Sequence, residues 1–475
     1  LNVSQIANDV CGFAPGGEDM RFYSQIGQDK YVLESFFRGK RRGVFLDVGA
    51  YDGETFSNTL FFERSMGWTG LCIEPLPSAF VRLQGRRKAV CENTAVADFE
   101  GEADFLDCDA GADEKMLSGL ASHFDARHTQ RLQQSATAAQ SIKVPVRRLS
   151  TLLEKHSLYD IDFCSLDTEG SEMAILEDLD LDRFRIAVFT IENNYGESGL
   201  RELMARKGYD FVARLQWDDV YKRRDVARLP RTTVITAVWH KDPKRLELLR
   251  GHQRNLDALD APVDAIYVFD GGEQAPEWLV GKSISSRTPL TMYQAWNLAL
   301  SQVETPLVMN LNLDDRLAPD AVGMLEVAIL KEQAALIGGE WNIRYTQEET
   351  DAVVPAYPAS ALPFDSAWPP RGGVTTRLGS GTGERGTYGP AVMWRMDTHL
   401  GAPRYPWRMA DGTRLSRDGD LSWWLLIQKH LKKKTARIPY VIGNYYSHPG
   451  QQLEFRTTGE DEQAMLASDV GVSLL

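Results

Sequence analysis

The 475-residue chain sets 53 lysines and arginines against 66 aspartates and glutamates, a formal net charge of −13, with 43% hydrophobic residues. That balance leaves no basic footprint for nucleic acid or an anionic lipid surface, and the length allows two or three domains of ordinary size. No stretch approaches the roughly 18 apolar residues of a membrane span, no signal peptide opens the chain, and the five scattered cysteines read as reduced thiols, so the expected setting is cytoplasmic.

After an N-terminal extension, residues 1–21, Ser24, Gln25 and Asp29 are candidates either for a flap over a ligand or for plain helix capping. The first strong signal is Val44-Phe45-Leu46, a buried strand running into Asp47-Val48-Gly49-Ala50-Tyr51-Asp52-Gly53. Gly49 and Gly53 let the backbone turn and approach a ligand, while Asp47 and Asp52 accept hydrogen bonds. The spacing is D-x-G-x-x-x-G, not the dinucleotide G-x-G-x-x-G. A pyrophosphate avoids such acids. S-adenosylmethionine, with a sulfonium and an ammonium and no phosphate, suits them.

A second strand, Gly70 to Ile73, ends at Glu74, placed to take the two ribose hydroxyls. A third strand end, Ala95 to Asp98, offers Asp98 near the adenine. His123 and His128 are candidate general bases in a polar stretch whose alternative reading is a solvated helix or a lid. Ile161 to Leu166 then ends in Asp167, Thr168, Glu169, Gly170, Ser171 and Glu172, and Ile186 to Ile191 ends in Glu192, Asn193 and Asn194. Carboxylates on C-terminal strand edges face the ligand crevice of an open α/β sheet.

These pieces, with Ser24 to Asp29, Gly67 to Pro75 and Met116 to Leu120, resemble the FkbM family of methyltransferases across roughly Phe22 to Tyr221. The resemblance implies a class I S-adenosylmethionine-dependent O-methyltransferase acting on a sugar or polyketide hydroxyl. It gives Asp167 the base or acceptor-positioning role, with Glu169 and Glu192 as reserves. A Mg2+ ion bridging these acids is the alternative, because clustered oxygen ligands suit it.

The composition turns strongly charged from Asp218 to Arg231, and a fresh strand begins at Thr232. The expected domains are therefore 22–225 and 232–475, joined by a linker at 226–231. In the second, Val263 to Phe269 runs into Asp270-Gly271-Gly272 after a helix from Arg245 to Leu259. A helix over Tyr293 to Leu300 precedes the strand Pro306 to Leu311 and then Asn312-Leu313-Asp314-Asp315. The proline- and glycine-rich stretch from Trp341 to Arg395 reads as a long acceptor loop.

This half resembles a family-2 glycosyltransferase of the GT-A fold across roughly Thr232 to Arg456. The resemblance assigns Asp270 to the nucleotide base and Asn297 to the nucleotide pocket. Asp314 and Asp315 become ligands of a Mn2+ or Mg2+ ion, approached by His448. Asn312 stands where the family's Asp-x-Asp-Asp has its first acid. Asp420 is the expected acceptor base, with Asp418 second, and Trp423 and Trp424 are core or sugar-stacking.

The sequence thus predicts an α/β protein of two Rossmann-like domains, a class I methyltransferase sheet followed by a GT-A nucleotide-sugar-binding domain. Its expected partners are a glycan acceptor and a nucleotide sugar donor, with no nucleic acid, in surface polysaccharide biosynthesis. The alternative is an active methyltransferase whose C-terminal domain is a non-catalytic glycan-binding or docking module, which Asn312 favours.

Overall fold

The computed structural model describes residues 21–108, 118–120, 139–194, 196, 198–361, 390–400, 405–406, 420, 423–424, 427–428 and 431–446. The chain divides between Ala227 and Arg228 into two compact units, both α/β.

In the first unit, α1 (Gln28–Val32), β1 (Val44–Val48), α2 (Leu60–Met66), β2 (Thr69–Ile73), α3 (Pro77–Arg86) and β3 (Val90–Glu92) come first. A smaller four-stranded sheet follows, made of β4 (Ala95–Val96), β5 (Gly101–Cys108), β6 (Gly119–Leu120) and β7 (Ala139–Arg147). Then come α4 (Leu149–Lys155), β8 (Asp160–Leu166), α5 (Glu172–Asp178), β9 (Arg185–Glu192), α6 (Ser198–Arg206), β10 (Tyr209–Leu215) and β11 (Asp218–Arg223).

The main sheet runs β10-β11-β9-β8-β1-β2-β3. Its strands from β3 to β9 are parallel, and β11 lies antiparallel between β9 and β10. Parallel strands covered on both faces are apolar almost throughout, and Leu46, Val48, Leu71, Cys164, Leu166, Phe189 and Ile191 accordingly form the core. The chain leaves β1 toward β2 and β3 and returns on the other side at β8. Such a reversal opens a crevice at the C-terminal ends of β1 and β8.

One expectation fails in this unit. Ala95–Val96 is not a strand of the main sheet, because it pairs with β7 in the smaller one. The first part of the charged stretch, from Asp218, forms β11 inside the main sheet. Its charges flank buried Val220 and Tyr221.

The second unit contains β12 (Thr232–Val238), α7 (Arg245–Asp257), β13 (Val263–Phe269), β14 (Lys282–Ser285), α8 (Met292–Leu300), β15 (Leu307–Asn310), β16 (Arg316–Leu317), α9 (Ala321–Lys331) and β17 (Leu336–Arg344). After these come α10 (Gln347–Asp351), β18 (Tyr357–Pro358), β19 (Met393–Arg395) and β20 (Thr435–Tyr446). The sheet order is β14-β13-β12-β15-β19-β17-β20-β16, with β18 on β20. The parallel strands β13, β12 and β15 place a second reversal between β12 and β15.

Helix α8 opens with a capping box between Thr291 and Gln294, which fixes its start. Trp423 and Trp424 are core residues, packed with Trp296, Trp394 and Tyr405. The expected loop from Trp341 is partly regular structure, since β17, α10, β18 and β19 occupy much of its described portion. Among the described residues, no helix is long and apolar enough to cross a membrane.

Candidate functional site

The crevice in the first unit begins with a close backbone approach. Gly49 sits at φ 89°, and a Cβ there would lie 1.7 Å from the Asp167 carbonyl oxygen. Gly49 N and Ala50 N both donate to Ile73 O at 3.0 Å, and Asp167 N donates to Val48 O at 3.0 Å. Gly53, at φ 81°, closes the turn by donating to Ala50 O. Its missing side chain leaves room for Leu83 and Arg87.

Glu74 stands at the end of β2, 5% exposed, and accepts hydrogen bonds from Tyr51 N and Leu76 N at 2.8 Å each. Burial pushes its pKa up to about 7, and these donors only partly offset that. Asp52 caps its own turn, accepting from Glu54 N, Thr55 N and Thr55 Oγ1, and pairs with Arg86. These partners outweigh burial and hold Asp52 below the usual carboxylate range.

Asp47 departs from its expected role facing a cofactor. Its carboxylate accepts from Thr59 Oγ1 and from Arg87, a fully buried cation that also pairs with Glu63. The group braces the base of the turn from inside. Asp98 is exposed, just beyond β4 of the smaller sheet.

The chemistry-bearing set lies at the C-terminal edges of β8 and β9. Oxygens of Asp167, Glu169 and Glu192 lie within 4.8 Å of one another. Asp167 and Glu192 lie close enough that, withdrawn from water, one of the two favours keeping its proton. Withdrawal from water, then the fields of Asp218 and Glu172, raise Asp167 well above the carboxylate range. The same withdrawal, then Asp167 and Glu169, raises Glu192. Asn194 Nδ2 donates to Glu192 at 2.6 Å.

Three residues to which the sequence reading gave no role contribute. Glu172 accepts from Thr168 N, Thr168 Oγ1 and Gly170 N, and so shapes the loop that presents Asp167 and Glu169. Asp218 joins the acidic edge because β11 runs backward and its first residue lies opposite Glu192. Gln28 Nε2 donates to Asp218 at 2.6 Å, 190 residues away in sequence. Neither strand polarity nor that pairing leaves a local signal. Ser24 and Asp29, expected as flap or cap, bond to each other, and Asp29 also accepts from Tyr23 N and Ser24 N. His123 and His128 lie outside the described residues.

In the second unit, the expected residues lie on separate segments around the reversal between β12 and β15. Asp270, at the end of β13, accepts from His240 N at 2.7 Å and Leu290 N at 3.0 Å, and His240 Nδ1 lies 2.9 Å from it. Asp314 is half-buried on the loop after β15. Asp315, expected as a metal ligand, points inward instead. It is fully buried, accepting from Tyr446 N and from Asn312 Nδ2 at 3.1 Å each.

Asn312 therefore satisfies a buried acid that a second aspartate would repel. Asn297, expected at the nucleotide, donates to Tyr405 O and accepts from Tyr405 N, so its amide clamps main chain. Tyr293 Oη donates to Asp420 at 3.3 Å. His448 and Asp418 lie outside the described residues.

A domain model covers the turn, Glu74 and the strand-end acids Asp167, Glu169 and Glu192 together. Residues 47–211 match the methyltransferase FkbM domain. S-adenosylmethionine is the cofactor which that family implies. The FkbM domain thus spans β1 through part of β10.

Over about half its length the chain is similar to several solved structures. One is TarS 1-349 of S. aureus, at 12% identity over 51% of this chain and 72% of that one, with a TM-score of 0.33. Another is the mannosyltransferase PcManGT of Pyrobaculum calidifontis in complex with GDP-Man and Mn2+, at 11% identity over 51% and 70%, with a TM-score of 0.30. At these scores neither likeness bears on substrate or mechanism. No curated protein matches the chain.

Proposed function

We infer that the first unit transfers a methyl group from S-adenosylmethionine to a sugar hydroxyl. The observation that supports this most is the close set of carboxyl groups of Asp167, Glu169 and Glu192, placed across the sheet reversal from the cofactor turn and Glu74. When bound, the cofactor supplies an electrophilic methyl group. Glu74 is the residue to hold its ribose, and Gly49 gives the backbone clearance the turn requires. Holding the acceptor oxygen in line contributes most of the acceleration, on the order of 7–11 kcal/mol at best. The carboxyl pair takes the hydroxyl proton, the smaller contribution.

Glu74 makes stability and cofactor affinity respond to pH in opposite directions. Its folded pKa of about 7 exceeds the ordinary 4.5, so its stabilising contribution is complete below pH 4.5 and is lost as pH rises through 7. The ionised form is the better ribose acceptor, so cofactor affinity rises over the same range. Titration calorimetry with S-adenosylhomocysteine should show roughly tenfold tighter binding at pH 8 than at pH 6. Glu74→Gln should flatten that dependence; a flat profile in the unaltered protein would remove Glu74 from the site.

For the second unit, the reading is transfer of a sugar from a nucleotide donor with Mn2+ or Mg2+, in the making of a surface polysaccharide. Asp314 holds the cation, Asp270 orders the nucleotide pocket through His240, and Asp420 takes the acceptor proton. A divalent ion neutralises the departing diphosphate in such chemistry. The donor set present in the described residues is thin, because Asp315 is committed inward. That observation favours the second reading, a glycan-binding or docking module.

Thermal denaturation with nucleoside diphosphates, with and without Mn2+, separates the two. Under the transferase reading one nucleotide raises the melting temperature only with Mn2+, and Asp314→Asn abolishes the shift. No nucleotide-dependent shift would leave the docking module.

A further inference from the structure

Resting on the methyl-transfer reading, we propose that the first unit holds a preformed subsite for a sugar ring bearing an anionic substituent. A cavity of about 390 Å³ lies between Arg21, Phe22 and Tyr23 on one side and Glu54, Thr55 and Phe56 on the other, with Arg86 closing it. That volume falls within the range of small-molecule sites.

Its walls are tied in place by bonds that need no ligand. Ser24 bridges to Phe56, Phe22 stacks on Phe61 with centroids 4.5 Å apart, and Asp29 accepts from Tyr23 N at 2.7 Å. Its position links both halves of the methyl-transfer site. Glu54 to Phe56 continue directly from the cofactor turn, and the segment on the opposite wall runs on to Gln28, which bonds Asp218 at the acidic edge.

The lining selects the ligand class. Phe56 adds an aromatic ring to the lining, while the Phe22 ring is stacked on Phe61 and the Tyr23 ring lies under Arg21. Thr55 Oγ1 spends its proton on Asp52, which leaves it an acceptor for a ligand hydroxyl, and Glu54 is a second acceptor. Of the charged lining residues, Arg21 and Arg86 stand against one carboxylate, Glu54; Arg86 is paired with Asp52 and Glu54 with Arg64, and Arg21 lies over the Tyr23 ring. Guanidinium forks recognise carboxylate and phosphate oxygens, so a polyol ring with one such group matches the pocket.

The test uses the full chain saturated with S-adenosylhomocysteine, and calorimetry with four probes: glucuronic acid, glucose 6-phosphate, glucose and inorganic phosphate. One of the two anionic sugars should bind at least about tenfold more tightly than glucose or phosphate alone, and which of them does so identifies the anion. Arg21→Gln, at an exposed position, should weaken that binding about tenfold and leave S-adenosylhomocysteine binding unchanged.

Equal binding of glucose, of bare phosphate, or no effect of Arg21→Gln would overturn the proposal. So would displacement of the probe by S-adenosylhomocysteine, which would give the cavity to the cofactor. Failure of S-adenosylhomocysteine to bind would sink the methyl-transfer reading alone, since the probes can be titrated without it.

Discussion

Asp167→Asn is expected to lower methyl transfer by about 10²- to 10⁴-fold while leaving the S-adenosylhomocysteine dissociation constant within a factor of about three. The amide keeps the size of the carboxyl group and loses its capacity to take a proton. The same substitution removes one acid from an edge that holds Asp167, Glu169, Glu172, Glu192 and Asp218, all drawn together by the ends of three strands. Like charges there push one another's protons on, so the neutral variant should melt no lower than the parent, and higher at alkaline pH.

A fall in rate with an unchanged or raised melting temperature separates a reacting group from a structural one. Because Asp167 and Glu192 titrate above the usual carboxylate range, the rate should rise with pH over a correspondingly higher window. Asp167→Asn should abolish that rising limb. A chelator decides between proton transfer and a bridging cation. Methyl transfer that persists in EDTA fits proton transfer to the carboxyl pair, whereas loss restored by Mg2+ would give the three carboxylates to a metal.

Gly49→Ala should cost more than about 5 kcal/mol and yield little folded first unit. The φ of 89° already disfavours any side chain by about 1–2 kcal/mol. The steric contact costs more, since the new methyl would lie 1.7 Å from the Asp167 carbonyl oxygen. That oxygen belongs to main chain, and Asp167 N is itself bonded to Val48 O, so no side-chain rotation relieves the clash. Relief requires separating the ends of β1 and β8, the two strands that bound the crevice. Expression of soluble protein with a parental far-ultraviolet spectrum and melting temperature would show that the approach is not as tight as the structure places it.

The turn after β1, the placement of Glu74 and the acidic ends of β8 and β9 were legible from residue order, because apolar runs ending in acids and glycines carry that signal locally. So were the buried tryptophans, Trp423 and Trp424, as one of two readings. What misled was chemistry that depends on a partner. Asp47 and Asp315 have the residue type of ligand-facing acids, yet each is claimed by inward partners, Arg87 from elsewhere in the chain for one and the distant Tyr446 together with neighbouring Asn312 for the other.

The sequence by itself determined the alternation of strand and helix, the division into two α/β units and the residue types available at each strand end, since periodicity and turn chemistry are properties of short segments. Only the tertiary structure decided which of those carboxylates meet. Strand order sets the crevices, the antiparallel course of β11 brings Asp218 beside Glu192, and buried partners turn some acids inward while leaving Asp167, Glu169 and Glu192 together. Whether a carboxylate becomes a brace or a reacting group depends on the field and hydrogen bonds it meets after folding, and those come largely from residues scores of positions away.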